Sequence, residues 1–352
     1  MNADVRVGVL TPYGPQVVGG VEVFNEGLRR AFGDVEIFAN TGNHGPQSRA
    51  DLRRVGLDQP VGAVHAARAL LRRHREEPFN VILSNGVSGW PLTIARPGVP
   101  LVQVYHNTMA GFARRALSLR GDRFTTGRVM GLFDRLAGIG KHVVGVSQPV
   151  LREVESLYGF RGRLIPNAVD TEAFKPANPG PERAHLGIPR EAKVGLFVGR
   201  PNRTKGYDIL LRVAEALPDV EFLVVGGRQG TTGNVQSLGP IAHGDMPRVY
   251  AASDFFFLPS RYEGLSLSLL EALSCDLPVV VSEAAWPFDE EPLTCGAVVP
   301  GDGERGFVDA IRYVLGDPQK FSPRAFVVRR YNLDVFQETW RNFVEALLGM
   351  GS

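Results

Sequence analysis

The sequence is poor in the residues from which disulfide, metal and redox sites are built. Only two cysteines, Cys275 and Cys295, occur among its 352 residues. They make no disulfide framework and no zinc spacing, and suit a reducing, cytoplasmic setting. Six of the seven histidines, His44, His65, His74, His142, His185 and His243, form no metal-ligand pattern. No Asp-x-Asp is present to hold a divalent cation on a substrate, and the G-x-x-x-x-G-K-[ST] order of a P-loop is missing too. No apolar run approaches the roughly 20 residues of a membrane-spanning helix. The first such run, Val5 to Leu10, is interrupted by Arg6 and leads straight into a glycine-rich turn, unlike a signal peptide. Nothing resembles a module that reads DNA or RNA, so no nucleic-acid partner is expected.

What is present is ordinary globular composition, 44% hydrophobic and 22% charged, in a chain long enough for two domains. The net charge of +2 conceals an asymmetry. Lys and Arg outnumber Asp and Glu by 21 to 14 over residues 1–170 and are outnumbered by 23 to 18 over the remainder. Much of the basic excess lies in two helix-like stretches, Arg68–Arg75 and Arg114–Arg135. Such stretches fit a solvated arginine-rich face, a phosphorylated acceptor, or peripheral contact with an anionic membrane at its inner face.

Strand and helix patterns alternate along the chain. Val5–Leu10, Val35–Ala39, Val81–Ser84, Leu101–Tyr105, Val143–Val146 and Leu164–Ile165 read as strands, with Val21–Phe32 as the first helix. The proline- and glycine-rich run Phe174–Pro181 reads as a connection. The alternation then restarts with Val194–Val198, a helix over Tyr207–Leu217, Val220–Val225, Phe255–Leu258, a helix around Ser266–Leu273, and Val279–Val281. The expected architecture is α/β: two Rossmann-like, doubly wound parallel-sheet domains facing across a cleft. Residues 1–172 form the first, residues 173–333 the second, and an amphipathic helix within 334–352 follows.

Four constellations carry chemistry. Gly19 and Gly20 open the first helix, where bare backbone N–H groups and the helix dipole favour an anion. Arg200 and Lys205, between Gly199 and Gly206 after a strand of the second domain, suit a diphosphate: a guanidinium donates two parallel bonds, and an ammonium acts as a point charge. Glu263, followed by Gly264, Leu265 and Ser266, precedes Glu271 by eight residues, which helical rise puts about 12 Å apart. That span approximates a diphosphate between a sugar and a ribose. A glutamate at Glu271, in an otherwise apolar helix, needs a partner if buried. His106 ends the strand Leu101–Tyr105 and is followed by Asn107-Thr108.

In this order the residues resemble glycosyltransferase family 4, retaining enzymes of the GT-B fold, over nearly the whole chain. The resemblance rests on Gly19-Gly20-Val-Glu22, His106, Val146-Ser147, Ile165-Pro-Asn-Ala-Val-Asp170, the Gly199-Arg200/Lys205-Gly206 block, and Glu263-x₇-Glu271 followed by Pro278-Val-Val280. It implies a hexosyltransferase that takes sugar from a UDP- or GDP-sugar, with no cofactor and no metal, onto a carbohydrate, glycolipid or small-molecule acceptor. Gly19 and Gly20 would meet donor phosphate, His106 the transferred sugar, Arg200 and Lys205 the diphosphate, Glu263 the sugar hydroxyls and Glu271 the ribose. Gly264, Leu265 and Ser266 would line the donor loop, and the C-terminal helix would return to the first domain. A catalytically silent homologue that binds a nucleotide sugar or a partner, a solute-binding protein and a nucleotide-sugar epimerase are the alternatives. Intact Arg200, Lys205, Glu263 and Glu271 weigh against the first of these. Three departures stand out. Asp276 occupies a usual glycine position at a helix end, where aspartate tolerates the left-handed conformation. Ser266 replaces a common glycine, and Gly226–Gly233 stands where a helix is usual.

Overall fold

The computed structural model describes residues 5–12, 20–40, 57–117, 121, 124–289 and 294–350. The chain divides into two compact units, residues 1–167 with 334–352 and residues 168–333.

In the first unit β1 (Val7–Thr11), β2 (Val35–Ala39), β3 (Val81–Asn85), β4 (Leu101–Tyr105), β5 (His142–Gly145) and β6 (Arg163–Leu164) form one sheet in the order β2-β1-β3-β4-β5-β6. Every pairing is parallel. β1 and β3 are buried along their whole length, which is why they read as apolar runs rather than alternations. The helices are α1 (Gly20–Phe32), α2 (Asp58–Glu76), α3 (Trp90–Ala95), α4 (Met109–Ala116), α5 (Gly131–Gly138) and α6 (Gln148–Tyr158). A π-helical turn, Thr125–Met130, leads into α5.

A buried polar network fixes the start of α4, just beyond His106. The Thr108 hydroxyl accepts from the Gly111 N–H at 3.0 Å and bonds Glu153 at 2.6 Å. Asp134 accepts from the Met109 N–H at 3.0 Å and from the Tyr158 hydroxyl at 2.8 Å. Burial pushes the Asp134 carboxyl up to about 7, because an isolated charge is poorly tolerated away from water.

In the second unit β7 (Lys193–Val198), β8 (Val220–Thr232), β9 (Val235–Gly239), β10 (Phe255–Leu258), β11 (Val279–Ser282) and β12 (Gly296–Val299) are ordered β12-β11-β10-β7-β8-β9. Its helices are α7 (Gly180–Leu186), α8 (Tyr207–Ala216), α9 (Met246–Ala251), α10 (Leu267–Ser274), α11 (Glu304–Gly316) and α12 (Pro323–Arg330). Edge-to-face contacts among Phe222, Phe255, Phe257 and Phe307 fill its core, an arrangement the ring quadrupole favours. β8 is far longer than the apolar run Val220–Val225. Its glycine-rich end continues as strand, and Gly230–Thr232 pairs back on Val235–Ser237 around Gly233-Asn234. Asp276 adopts φ +62° at the end of α10, and its carboxylate accepts from the Arg324 N–H at 2.9 Å.

The chain enters and leaves this unit side by side: the Val169 N–H donates to the Tyr331 carbonyl at 2.8 Å, and Val169 bridges Asn332. The final helix, α13 (Leu333–Leu347), buries Phe336, Trp340, Phe343 and Val344, a stripe at helical spacing. Phe336 and Trp340 meet Phe24 of α1 edge-on, at 5.8 and 5.7 Å between ring centroids. Arg341 donates to the Ala31 carbonyl at 2.8 Å. A Cβ on Gly27 would lie 2.8 Å from the Phe336 ring, so the close approach of the two helices depends on that glycine.

Candidate functional site

The second sheet reverses its winding between β7 and β10: the chain proceeds from β7 to β8 and β9 on one side and returns to build β10, β11 and β12 on the other. Open α/β sheets bind ligands outside the carboxyl ends of their strands at such a reversal. The two loops that leave those ends, residues 199–206 and 259–266, hold six of the ten residues singled out from the sequence: Arg200, Lys205, Glu263, Gly264, Leu265 and Ser266.

These loops are joined. Gly206 has φ +74°, and a Cβ there would lie 2.0 Å from the Pro259 carbonyl oxygen, so glycine alone permits the contact. The Arg261 N–H donates to the Thr204 carbonyl at 2.8 Å. Its guanidinium donates to the Arg203 carbonyl at 2.7 Å, to both Asp208 oxygens at 2.7 and 2.9 Å, and to Asp302 at 3.2 Å. Asp208, on the first turn of α8, thus anchors Arg261 through a forked charge-assisted pair. Lys205, oriented by the Asn202 side chain, which accepts from its N–H at 3.0 Å, reaches Glu263 of the other loop at 2.7 Å. An ammonium has three donors; with one on Glu263, two remain for phosphate oxygens. Arg200 is exposed; among the described residues no ion pair engages its guanidinium. Gly264, Leu265 and Ser266 are buried and lead into α10, with the Ser266 hydroxyl 2.9 Å from that of Ser268.

Because α10 starts only at Leu267, the interval from Glu263 to Glu271 is not one helix, and the separation of about 12 Å expected from helical rise does not describe it. Glu271 is buried and has two partners. The Tyr250 hydroxyl donates to one oxygen at 2.7 Å, and the His243 Nε2 lies 2.9 Å from the other. The bond to Glu271 raises the His243 pKa above its usual 6.5, against the opposing effect of burial. Burial and the adjacent carboxylate together hold the Tyr250 hydroxyl well above its ordinary range, and the Phe174 ring packs on His243 at 5.1 Å. Sequence reasoning anticipated that Glu271 needs a partner but missed both, together with Arg261 and Asp208. A buried carboxylate signals that partners exist, not where in the sequence they lie.

In the first unit His106 follows β4. Its Nε2 lies 3.1 Å from the Asn85 amide oxygen at the end of β3, and Phe24 meets the ring edge-on at 4.9 Å. Burial lowers its pKa to about 4, leaving a neutral imidazole near neutral pH, able to exchange hydrogen bonds but carrying no charge. Gly20 is the first residue of α1; Gly19 lies outside the described residues. Among the described residues no group of three or more His, Cys, Asp and Glu is placed to hold a metal ion.

Arg261 ties the two loops together and, on the donor-binding role that the resemblance implies for them, would be a positioning residue. Arg261→Ala should leave the unit folded yet lower turnover with respect to donor by about tenfold to a hundredfold, since sub-ångström placement controls rate. Arg261→Lys, which cannot form the fork, should recover only part of it. Unchanged donor kinetics in Arg261→Ala would remove this role.

Residues 192–317 match the family described as Glycosyl transferases group 1, and residues 18–173 match Glycosyltransferase Family 4. A D-inositol 3-phosphate glycosyltransferase of Kineococcus radiotolerans is 31% identical over 304 residues, covering 74% of this chain and 68% of that protein. A protein of the same name from Mycobacterium tuberculosis is 29% identical over 325 residues, covering 83% and 67%. Sucrose-phosphate synthase from Thermosynechococcus elongatus has a similar structure, with a TM-score of 0.81 at 20% identity, over 99% of this chain and 100% of that one. Anabaena Alr3699/HepE, in complex with UDP-glucose, has a TM-score of 0.75 at 18% identity, over 97% and 99%. At these identities the likeness to the solved structures is one of fold.

Proposed function

The chain belongs to glycosyltransferase family 4, and on that premise we propose that it is a retaining, metal-independent enzyme transferring sugar from a UDP- or GDP-sugar. The acceptor is a hydroxyl of a carbohydrate, glycolipid or small molecule, in the making of cell-envelope polysaccharide, glycolipid or glycoside. That it is a GT-B glycosyltransferase acting on a nucleotide sugar follows from the family and fold; the donor base, stereochemistry and site roles are the proposal.

The observation that carries it is the meeting of Lys205 and Glu263 at 2.7 Å across the winding reversal, beside an exposed Arg200. In the proposed reaction the bond between the sugar anomeric carbon and the donor phosphate oxygen breaks. Lys205 and Arg200 take up the charge that develops on the diphosphate, a stabilisation effective because the donors are already in place. Glu263 holds sugar hydroxyls, His106 contacts the sugar as a neutral group, and Glu271 accepts from the ribose. Backbone N–H groups at Gly19 and Gly20 meet donor phosphate, and Gly264, Leu265 and Ser266 line the donor loop. The acceptor oxygen attacks the same face, and its proton passes to the departing phosphate, so no protein nucleophile is needed. The two cysteines are buried and unbridged, in keeping with a cytoplasmic enzyme, acting at the inner membrane face where the acceptor is lipid-borne.

The test is a thermal-shift panel of UDP-, GDP- and dTDP-sugars, because a ligand that binds only the folded state raises its apparent stability. One base should raise the melting temperature by several degrees, and sugar transfer from that donor should proceed undiminished in excess chelator. Absence of any shift would overturn the donor reading; a strict requirement for divalent cation would overturn the metal-independent mechanism. Inositol phosphate belongs among the acceptors assayed, given the name shared by the curated relatives.

A further inference from the structure

The turn that carries His106 is held at both ends by one residue of α5. Before it, the Tyr105 hydroxyl at the end of β4 donates to the Asp134 carbonyl at 2.8 Å. After it, the Met109 N–H donates to the Asp134 carboxyl group at 3.0 Å. Neighbouring residues at a strand end face opposite sides of the sheet, so Tyr105 reaches α5 while the His106 ring meets Phe24 of α1. Only residues 106–108 lie between the two anchors.

The first three N–H groups of α4 all have side-chain acceptors. Those of Met109, Ala110 and Gly111 donate in turn to Asp134, to the Tyr158 hydroxyl at 3.4 Å and to the Thr108 hydroxyl at 3.0 Å. The Tyr158 hydroxyl itself donates to Asp134 at 2.8 Å. A Cβ on Gly111 would overlap the Glu153 carboxyl group, so the helix start is packed without slack. Both bonds to the Asp134 carboxyl group end on one oxygen; the other is buried and has no hydrogen-bond partner among the described residues.

An anion at a helix start is favoured by the helix dipole, whereas removal from water disfavours it. Here burial, with Glu153 adding to it, pushes the Asp134 carboxyl group up to about 7 against the two bonds it accepts. The titratable groups that face it are Tyr105 of β4 and Tyr158 and Glu153 of α6. Arg114 and Arg115 on α4 and Arg128 on the π-helical turn are exposed, and α3 and residues 86–89 bring no titratable group. Lys141, beyond α5, turns its ammonium to the Gly89 and Ala137 carbonyls and the Thr93 hydroxyl.

We propose that Asp134 is a positioning residue for transfer: its ionised carboxyl group fixes the turn that places His106 against the sugar, and its protonation slackens that turn. Hydrogen bonds to an ionised acceptor are roughly twice as strong as those between neutral groups. The effect on transfer rests on the sugar contact proposed for His106; the coupling between the two side chains does not.

The side-chain NMR signal of His106, assigned by its loss in His106→Gln, tests that coupling without turnover. His106 itself titrates near 4, so a step in its signal with a midpoint near pH 7 reports Asp134. Asp134→Asn keeps an accepting oxygen and removes the ionisation, and the step should vanish. Tyr158→Phe removes a bond that favours the ionised form, and the step should move to higher pH. In turnover, wild-type kcat should rise through the same midpoint. Above it Asp134→Asn should be slower by about fivefold, the difference between a charge-assisted and a neutral hydrogen bond, with the KM for donor unchanged. The proposal is overturned by a wild type without the step, by a step that persists in Asp134→Asn or stays in place in Tyr158→Phe, or by wild-type kcat in Asp134→Asn above the midpoint. A failed donor panel with the step intact would instead count against the transferase assignments alone.

Discussion

Lys205→Ala should lower kcat by about 10²–10³-fold, the usual cost of removing one preorganised group from a site of developing charge. The structure gives the reason for placing the loss in kcat rather than in KM. Lys205 is held at 2.7 Å from Glu263 and oriented through Asn202, so in the proposed reaction it is in place before donor arrives and would meet most charge as the phosphate departs. Arg200 is exposed and, among the described residues, has no such anchor; Arg200→Ala should lower kcat comparably and also raise the KM for donor. Removing Lys205 strands the largely buried carboxylate of Glu263, which is itself destabilising. Lys205→Ala with Glu263→Gln removes that complication, and its melting temperature shows whether lost activity is lost fold. Steady-state kinetics with wild-type kcat in both single variants would refute the leaving-group role.

Glu271→Ala should weaken nucleotide binding by about tenfold to a hundredfold, the range for a hydrogen bond to a charged group. Isothermal titration with the free nucleotide diphosphate isolates that contact from the sugar; unchanged affinity would remove the ribose assignment. The same substitution should alter the pH dependence of stability. His243 has its pKa raised chiefly by the bond to Glu271. The stability this linkage contributes is therefore fully present below the ordinary histidine value of 6.5 and is lost as pH rises through the higher folded value. Denaturant titrations on either side of that window should show the loss in wild type and not in Glu271→Ala. The effect will be modest because His243 is partly exposed and solvent screens it.

The sheets were legible because strands buried on both faces are continuous apolar runs, and β1, β3, β7, β10 and β11 all show them. The left-handed turn at Asp276 was legible as well, since few residues tolerate it. The loops at residues 199–206 and 259–266 were legible as residue types but not as an arrangement. His243 and Tyr250 stand 28 and 21 residues from Glu271 in sequence, and nothing local marks them as its partners. Arg261 lies inside the recognised motif, yet its role depends on Asp208, 53 residues away, brought near by the pairing of β10 with β7. The Glu263–Glu271 spacing misled because eight residues were read as helix, whereas the chain is extended at Ser266 and turns helical at Leu267. Gly226–Gly233 has no periodicity to read; its strand character comes from pairing with residues that follow it.

Phe336 and Trp340 complete the core of the first unit from the last twenty residues of the chain, while the second unit is one uninterrupted segment whose two ends lie side by side at Val169 and Asn332. During synthesis, then, the order of completion is not the order of translation. The second unit has all its residues once Leu333 has emerged, but the first, begun earlier, must wait with α1 uncovered until α13 is made. Domains fold as units as their sequence becomes available, so the half that is started first on the ribosome is finished last. Termination before Trp340 would release a finished second unit attached to a first unit lacking part of its core.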